Sequence, residues 1–267
     1  MFDAPVLQRS HGSALVHLDR GRLRDLSQTG SAKAMLPRTH GDRPEIVFLN
    51  TSGGLTSGDR LAYRVELGAG TRAVATTQTA ERAYRADGPV AEARVDLVLG
   101  PGASLDWLPQ ETILFNGAGL AREARVELGA EARFLGIETV VLGRAAMGEE
   151  VGQLRFSDRR VIRREGRLVL LDPFRLNDDA LTRAGNPALL NGMRAMAVLL
   201  LIAPDAADAL PALRAQLDEP GVTAAASALP GRLVLRALAP DAWPLRRQMI
   251  RLIETLRPGA LPRVWQN

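Results

Sequence analysis

The chain has 267 residues, 46% of them hydrophobic and 24% charged, which is enough apolar material for a large core and too little charge excess for wholesale disorder. It contains no cysteine, and so no disulfide framework, thiolate metal site or cysteine nucleophile. The sequence pI of about 10.4 arises because Lys33 is the only lysine, so little titrates above neutrality, and a net charge of +4 with scattered arginines gives no nucleic-acid footprint.

The first residues, MFDAPVLQRS, lack the basic start and apolar stretch of a secretory leader, so a cytoplasmic protein is expected. Ser13–Leu18 and Glu45–Leu49 read as strands, with a loop around His40-Gly41-Asp42 between them. The three histidines, His11, His17 and His40, stand at spacings that fit no helical metal-binding pair. The next segment, Asn50–Asp59 (NTSGGLTSGD), is glycine-rich. A phosphate-binding loop would continue with lysine and serine or threonine into a helix. Here Asp59-Arg60 and a strand follow, and aspartate repels phosphate, so the segment reads as a turn joining two strands.

The middle of the chain repeats itself. Tyr63–Leu67 runs into Gly68-Ala69-Gly70, Ala93–Leu99 into Gly100-Pro101-Gly102, and Ala124–Leu128 into Gly129-Ala130, with 32 and 29 residues between turns. Each entering strand alternates apolar and charged residues, the mark of a half-buried strand, and glycine supplies the positive φ of a tight hairpin. Repetition at this interval predicts stacked units sharing one core. Two polar strings, Thr76–Arg85 (TTQTAERAYR) and Trp107–Phe115, occupy equivalent places in consecutive repeats. They predict either hydrogen-bonded side-chain ladders within the stack, or a polar interior or partner surface.

Further on, Val161–Arg164 and Arg167–Leu171 pair across Glu165-Gly166 as a hairpin. The longest apolar run, Ala195–Ala203, is far shorter than the roughly 20 residues of a membrane span. A helix is predicted over Asp205–Leu217 with Asp205 as N-cap. Two strands follow, Val222–Leu229 and Arg232–Leu238, turned at Pro230-Gly231. A last helix over Asp241–Leu256 gathers Leu245, Met249, Leu252, Ile253 and Leu256 on one side. The expected class is α+β, β-dominated: one domain over 1–267, with stacked strands over 1–175 and an α/β portion of about two helices over 176–267.

The candidate chemistry is thin. No glycine-flanked nucleophile elbow occurs. The carboxylates Asp59, Glu81, Glu111, Glu138, Glu149 and Glu150 sit beside turns and strand ends, as solvated groups or as exchangeable oxygen ligands suited to transit of a metal ion. A hydrolase using a carboxylate pair is the alternative reading.

Five strings carry a resemblance: Asn50–Asp59, Thr76–Arg85, Trp107–Gly117 (WLPQETILFNG), Gly143–Glu149 (GRAAMGE) and Pro262–Trp265 (PRVW). With Gln28-Thr29-Gly30, Lys33, Leu36 and Pro37 they resemble, in order and over nearly the whole chain, the urease accessory protein UreD family, called UreH in some bacteria. Ser57 and Asn116 depart from its usual small glycine and aspartate. The resemblance implies a β-helix-like stack of strand hairpins with few helices, and no enzymatic activity. It implies binding to apo-urease and to UreF, which recruits the GTPase UreG, in delivering nickel to urease. No cofactor is expected to be held tightly; nickel would be transient. Carried onto matching positions, Asp59, Gln78, Glu81, Tyr84, Gln110, Glu111 and Glu149 become candidates for an internal polar passage or a contact surface. Asp59, Glu111 and Glu149 are the candidate metal ligands, and Gly53 and Gly54 belong to the partner or structural motif.

Overall fold

Strands occupy 51% of the chain and helices 14%, as the alternating patterns require. The computed structural model describes residues 9–38, 43–257 and 259–266, so the loop expected around His40-Gly41-Asp42 lies outside the described residues. An antiparallel ribbon comes first: β1 (His11–Asp19) and β2 (Arg22–Gly30) form the edge of one sheet. Short strands β3 (Ala32–Met35) and β4 (Glu45–Asn50) begin a second. From there the chain coils.

β5 (Arg60–Leu67) lies parallel to β1, and β6 (Arg72–Thr77) parallel to β4. A short third strand, β7 (Glu81–Ala83), completes the circuit before β8 (Ala91–Leu99) returns beside β5. The circuit repeats through β9 (Ser104–Leu108), β10 (Thr112–Leu114) and β11 (Ala118–Leu128), then β12 (Arg133–Leu142) and β13 (Leu154–Arg164). Registers such as Tyr63↔Val95, Ala75↔Trp107 and Glu81↔Thr112 stack each coil on the one before. The two polar strings are therefore neighbours in space, as their equivalent positions required.

The glycine turns differ from the hairpins expected. β5 and β6 do not pair with each other; Gly68–Gly70 turns a corner between the sheets, and the turns at Gly100 and Gly129 do the same in later coils. Hairpins and corners both need a tight turn, so the local pattern is the same, and only the pairing partner one coil away tells them apart. Gly70 and Gly102 have φ of 65°, a region side chains disfavour. Their companions serve close approach instead. A Cβ on Gly100 would stand 2.9 Å from the backbone nitrogen of Ala69, and one on Gly129 2.7 Å from that of Pro101.

The stack ends in antiparallel additions. β14 (Arg167–Asn177) folds back on β13 across Glu165-Gly166, the hairpin expected. A five-residue helix not foreseen, α1 (Asp178–Thr182), follows. β15 (Ala195–Ile202) then joins β12, and β17 (Arg232–Ala239) and β16 (Thr223–Leu229) extend the same sheet. The helix expected over Asp205–Leu217 is shorter: a 3-10 turn at Ala206–Ala209 precedes α2 (Leu210–Arg214), and Asp205 makes no side-chain cap. Pro211 lacks the N–H that would carry an α-ladder through the segment. The last helix, α3 (Ala242–Leu256), forms as expected, with Asp241 Oδ1 accepting from the Ala242 N–H at 2.6 Å.

The sheets face different surroundings. The outer side of the first is a lattice of ion pairs, among them Arg64–Glu66 at 2.7 Å, Arg94–Asp96 at 2.7 Å and Arg159–Glu123 at 2.8 Å. Such exposed pairs add little stability, but they neutralise these arginines in place. The second sheet is covered on both sides, since α3 packs Leu245, Met249, Leu252 and Ile253 into the cluster that includes Leu108, Leu135 and Ile137. A strand buried on both faces reads as an unbroken apolar run, which explains Ala195–Ala203. Beneath the end of α3, the fully buried Asp106 meets Arg43, Arg133 and Arg257 at 3.0, 3.1 and 2.8 Å. Among the described residues, no helix is long and apolar enough to cross a membrane.

Candidate functional site in the charged interior

Period-two alternation points Leu120, Ala124, Val126 and Leu128 of β11 into the core, and it points Arg122 there too. On β13 the inward phase runs Leu154, Phe156, Asp158, Arg160, Ile162. On β12 it includes Glu138, two residues before Val140. Charged groups thus enter a core that is otherwise apolar, and each finds an opposite partner. Arg122 holds Asp158 with a fork, Nε to Oδ1 at 3.1 Å and Nη2 to Oδ2 at 2.6 Å. Its Nη1 lies 2.9 Å from both Glu138 Oε2 and Thr112 Oγ1. Trp107 Nε1 donates to Glu138 Oε1 at 3.1 Å. Beyond Asp158, Arg160 lies 3.0 Å from Asp158 and 3.0 Å from Asp172, and Arg236 donates to Asp172 at 2.5 Å. The charges alternate from Glu138 through Arg122, Asp158, Arg160 and Asp172 to Arg236, whose side chain is 57% exposed.

Burial raises the Glu138 carboxyl above its ordinary value in spite of Arg122. Burial also opposes the charge on Asp158, but Arg122 and Arg160 hold that carboxyl below the usual range. Arg122 is desolvated in turn, and the two carboxylates more than restore its charge.

Three cavities adjoin this chain. The largest, about 340 Å3, is lined by Asp158, Arg160, Asp172 and Arg236, and also by Glu138. Glu138 lines a second cavity of about 60 Å3 as well, together with Arg122, Gln110 and Glu81. Glu81, Tyr63 and Thr77 line both that space and a third of about 50 Å3 beside Asn50 and Gln78. Glu81 and Glu138 each stand in the walls of two of these spaces, and each space is roomy enough for water.

Glu81 accepts from Asn50 Nδ2 at 3.2 and 3.3 Å. Burial nevertheless pushes its carboxyl up to about 7, with the Asn50 hydrogen bond only partly offsetting it. Between its ordinary 4.5 and about 7, the folded chain keeps a proton that the unfolded chain has lost. Stability from this group is thus fully present below the lower value and is lost as pH rises through the upper one. Urea unfolding of the wild type is expected to lose roughly 1–3 kcal/mol from this source between about pH 5 and pH 8, and E81Q is expected not to. Identical pH slopes for the two would contradict the assignment.

Of the residues singled out by sequence, Gln78, Glu81, Gln110 and Glu138 line these cavities. Gln110 also accepts from Arg246 Nη1 at 2.6 Å. Glu111 lies in a separate groove with Trp243 and Trp265, 3.7 Å from Arg246. Asp59 accepts from the Ser10 and Thr56 N–H groups at 2.8 and 2.9 Å, fastening the glycine-rich loop. Glu149 accepts from Arg144 Nε at 2.8 Å and from the Asn116 N–H at 3.1 Å, and the Arg144 hydrogen bond holds its carboxyl below the ordinary range. Asp59, Glu111 and Glu149 thus have separate partners. Among the described residues no three of His, Asp and Glu are grouped so as to hold a metal ion.

The remaining motif residues converge on the side of the short third strands. The Tyr84 hydroxyl donates to Gly53 O at 3.1 Å, and its ring meets Phe115 edge-on with centroids 5.1 Å apart. A Cβ on Gly54 would strike the Tyr84 ring, and Arg144 stacks 4.3 Å from the Phe115 centroid. Asn116 Oδ1 accepts from the Gly152 and Gln153 N–H groups at 3.0 Å each, an acceptor role that aspartate would fill equally.

The model of the UreD urease accessory protein family matches residues 11–266. The chain belongs to that family. It is similar to urease accessory protein UreD of Paracoccus denitrificans, with 59% identity over 269 residues, 100% of this chain and 96% of that protein. The corresponding protein of Cereibacter sphaeroides is 59% identical over 265 residues, covering 98% of this chain and 96% of its own. That of a Methylobacterium species is 44% identical over 273 residues, covering 98% and 97%.

Proposed function

We propose that the chain is a non-catalytic urease maturation factor of the cytoplasm. It links apo-urease to UreF and, through UreF, to the GTPase UreG, and its interior passes nickel toward the urease active site. The observation that carries this reading is the run of buried charges within the strand stack, with cavities that have Glu81 and Glu138 in their walls. A buried run of ion pairs is a poor source of stability compared with apolar packing, so its presence is best explained by use. The carboxylates can take an ion and release it, which suits transit. A hydrolytic carboxylate pair would need open space between its acids, whereas Arg122 bonds to both Glu138 and Asp158. Asp59, Glu111 and Glu149, which stand apart from the run, belong in this reading to its approaches or to the partner-facing surface. Co-expression tests the scaffold. A tagged chain produced with UreF and the urease subunits is expected to retain both on affinity resin and to co-elute with them in size exclusion. A folded chain that retains neither ends the reading.

A further inference from the structure

We propose that the outer edge of β2 is a self-association surface, on which two copies of the chain pair antiparallel about a twofold axis and join their first sheets into one. The proposal stands apart from the delivery reading and concerns how copies of the chain meet.

The two edges of the first sheet are built differently. On one, β14 carries Pro173, which has no N–H to offer, and Arg232 donates to the Val169 carbonyl. Such devices keep an edge from pairing with another chain. On the other, β2 pairs with β1 alone among the described residues, and all nine of its residues are exposed. It carries neither proline nor lysine. It is nevertheless held in place along its length. Arg24 Nη2 donates to Asp19 Oδ2 at 3.1 Å, Gln28 Oε1 accepts from the Ala34 N–H at 3.0 Å, and the Ser13 and Thr29 hydroxyls stand 2.9 Å apart. A strand already fixed loses little further freedom when another strand is added to it.

A bulge gives this strand its apolar face. In an unbroken strand, residues three apart point to opposite faces. Here the register against β1 shifts between His17 and Leu18: Asp25 opposes His17, and Leu23 opposes Leu18. Arg24 is the extra residue, and its insertion brings Leu23 onto the face of Leu26. That is the face on which Val16 and Leu18, their partners in β1, are buried at 0% and 1% exposure. Leu23 and Leu26 themselves are 47% and 38% exposed. The core side of the sheet therefore runs on past β1 and ends in two uncovered leucines.

The occupant is identified by self-complementarity. The run Leu23-Arg24-Asp25-Leu26 matches itself when reversed. Laid antiparallel on a second copy about an axis between Arg24 and Asp25, it sets each Leu23 opposite a Leu26 and each Arg24 opposite an Asp25. Opposed residues in a ladder share a face, and a twofold pairing of Leu23 with Leu26 is possible only because the bulge has put both on one side. The leucines then close over each other on the core side, while the two opposite-charge pairs lie on the outer side with His17 and Asp19. An interface of this kind uses the same patch twice, as a twofold dimer requires.

The test is sedimentation equilibrium of the full chain over a concentration series, with substitutions confined to exposed side chains of β2. The wild type is expected to reach a dimer. D25R sets arginine against arginine in both pairs and is expected to weaken that dimer about tenfold. R24D combined with D25R restores opposite charges across the axis and is expected to return to within about threefold of the wild-type constant. Because the chain has no cysteine, disulfide trapping gives a second readout. Oxidation of mixed L23C and L26C copies is expected to link one variant to the other, whereas neither alone links to itself, its two copies of the cysteine lying too far apart. A wild type that stays monomeric throughout overturns the proposal, as does a dimer that D25R leaves equally tight. A double variant no tighter than D25R, or L23C linking to itself as readily as to L26C, overturns it too.

Discussion

Replacement of Asp106 by alanine is expected to lower the unfolding free energy by about 3–5 kcal/mol, the cost of removing one partner from a buried ion cluster. Three guanidinium groups converge on this carboxylate, which has no solvent exposure. Without it, Arg257 would be left charged with a side chain only 4% exposed. The damage should be local at first. Arg133 Nη2 donates to Leu256 O at 2.7 Å and Arg257 Nη1 to Ala260 O at 2.8 Å, so both arginines also hold the end of α3 against the second sheet. D106N preserves shape but removes the charge, and should cost about half as much. Guanidinium-chloride unfolding gives the magnitude, and amide exchange along Ala242–Leu256 its location. A loss below about 1 kcal/mol for D106A would mean that the arginines find other partners, and the cluster would not be the fastening described.

The second large effect concerns delivery. E138Q is expected to reduce the nickel reaching urease about tenfold while leaving the assembly intact, the loss corresponding to one strong charge interaction. Glutamine keeps the volume of the side chain and an oxygen to accept from Trp107 Nε1. What disappears is the negative charge at the wall shared by the cavities of about 60 and 340 Å3. Arg122 keeps its fork on Asp158, so stability should fall only modestly. The substitution separates passing an ion from holding the fold.

Much of this molecule was legible in its sequence. Period-two alternation located the coil strands, and the glycine interval announced the stack. Equivalent placing of the two polar strings holds because each coil repeats the register of the last, as in Thr76↔Leu108 and Glu81↔Thr112. What local pattern could not supply was the partner of each strand, which is why corners read as hairpins. The helix over Asp205–Leu217 is shorter than leucine spacing alone predicts because Pro211 cannot carry the α-ladder through it. The interior charges carry a readable signal. Arg122, Asp158 and Arg160 stand in the inward phase of strands whose flanking inward residues are apolar. Acids beside turns have another task, since Asp59 and Glu149 accept backbone N–H groups and fasten loops. Asp172 and Arg236 join the run only through the pairing of β14 with β13 and the approach of β17, and no local sequence feature marks that meeting.

The most direct measurement is the nickel content of urease matured with this chain, UreF and UreG, comparing wild type with E138Q and E123Q. Glu123 lies in the ion-pair lattice outside the first sheet, so the two variants change charge equally on opposite sides of β11 and its neighbours. With equal amounts of assembled complex, urease from E138Q should carry about a tenth of the wild-type nickel and urease from E123Q the full amount. Full loading with E138Q, or equal losses from both variants, would contradict a route through the interior.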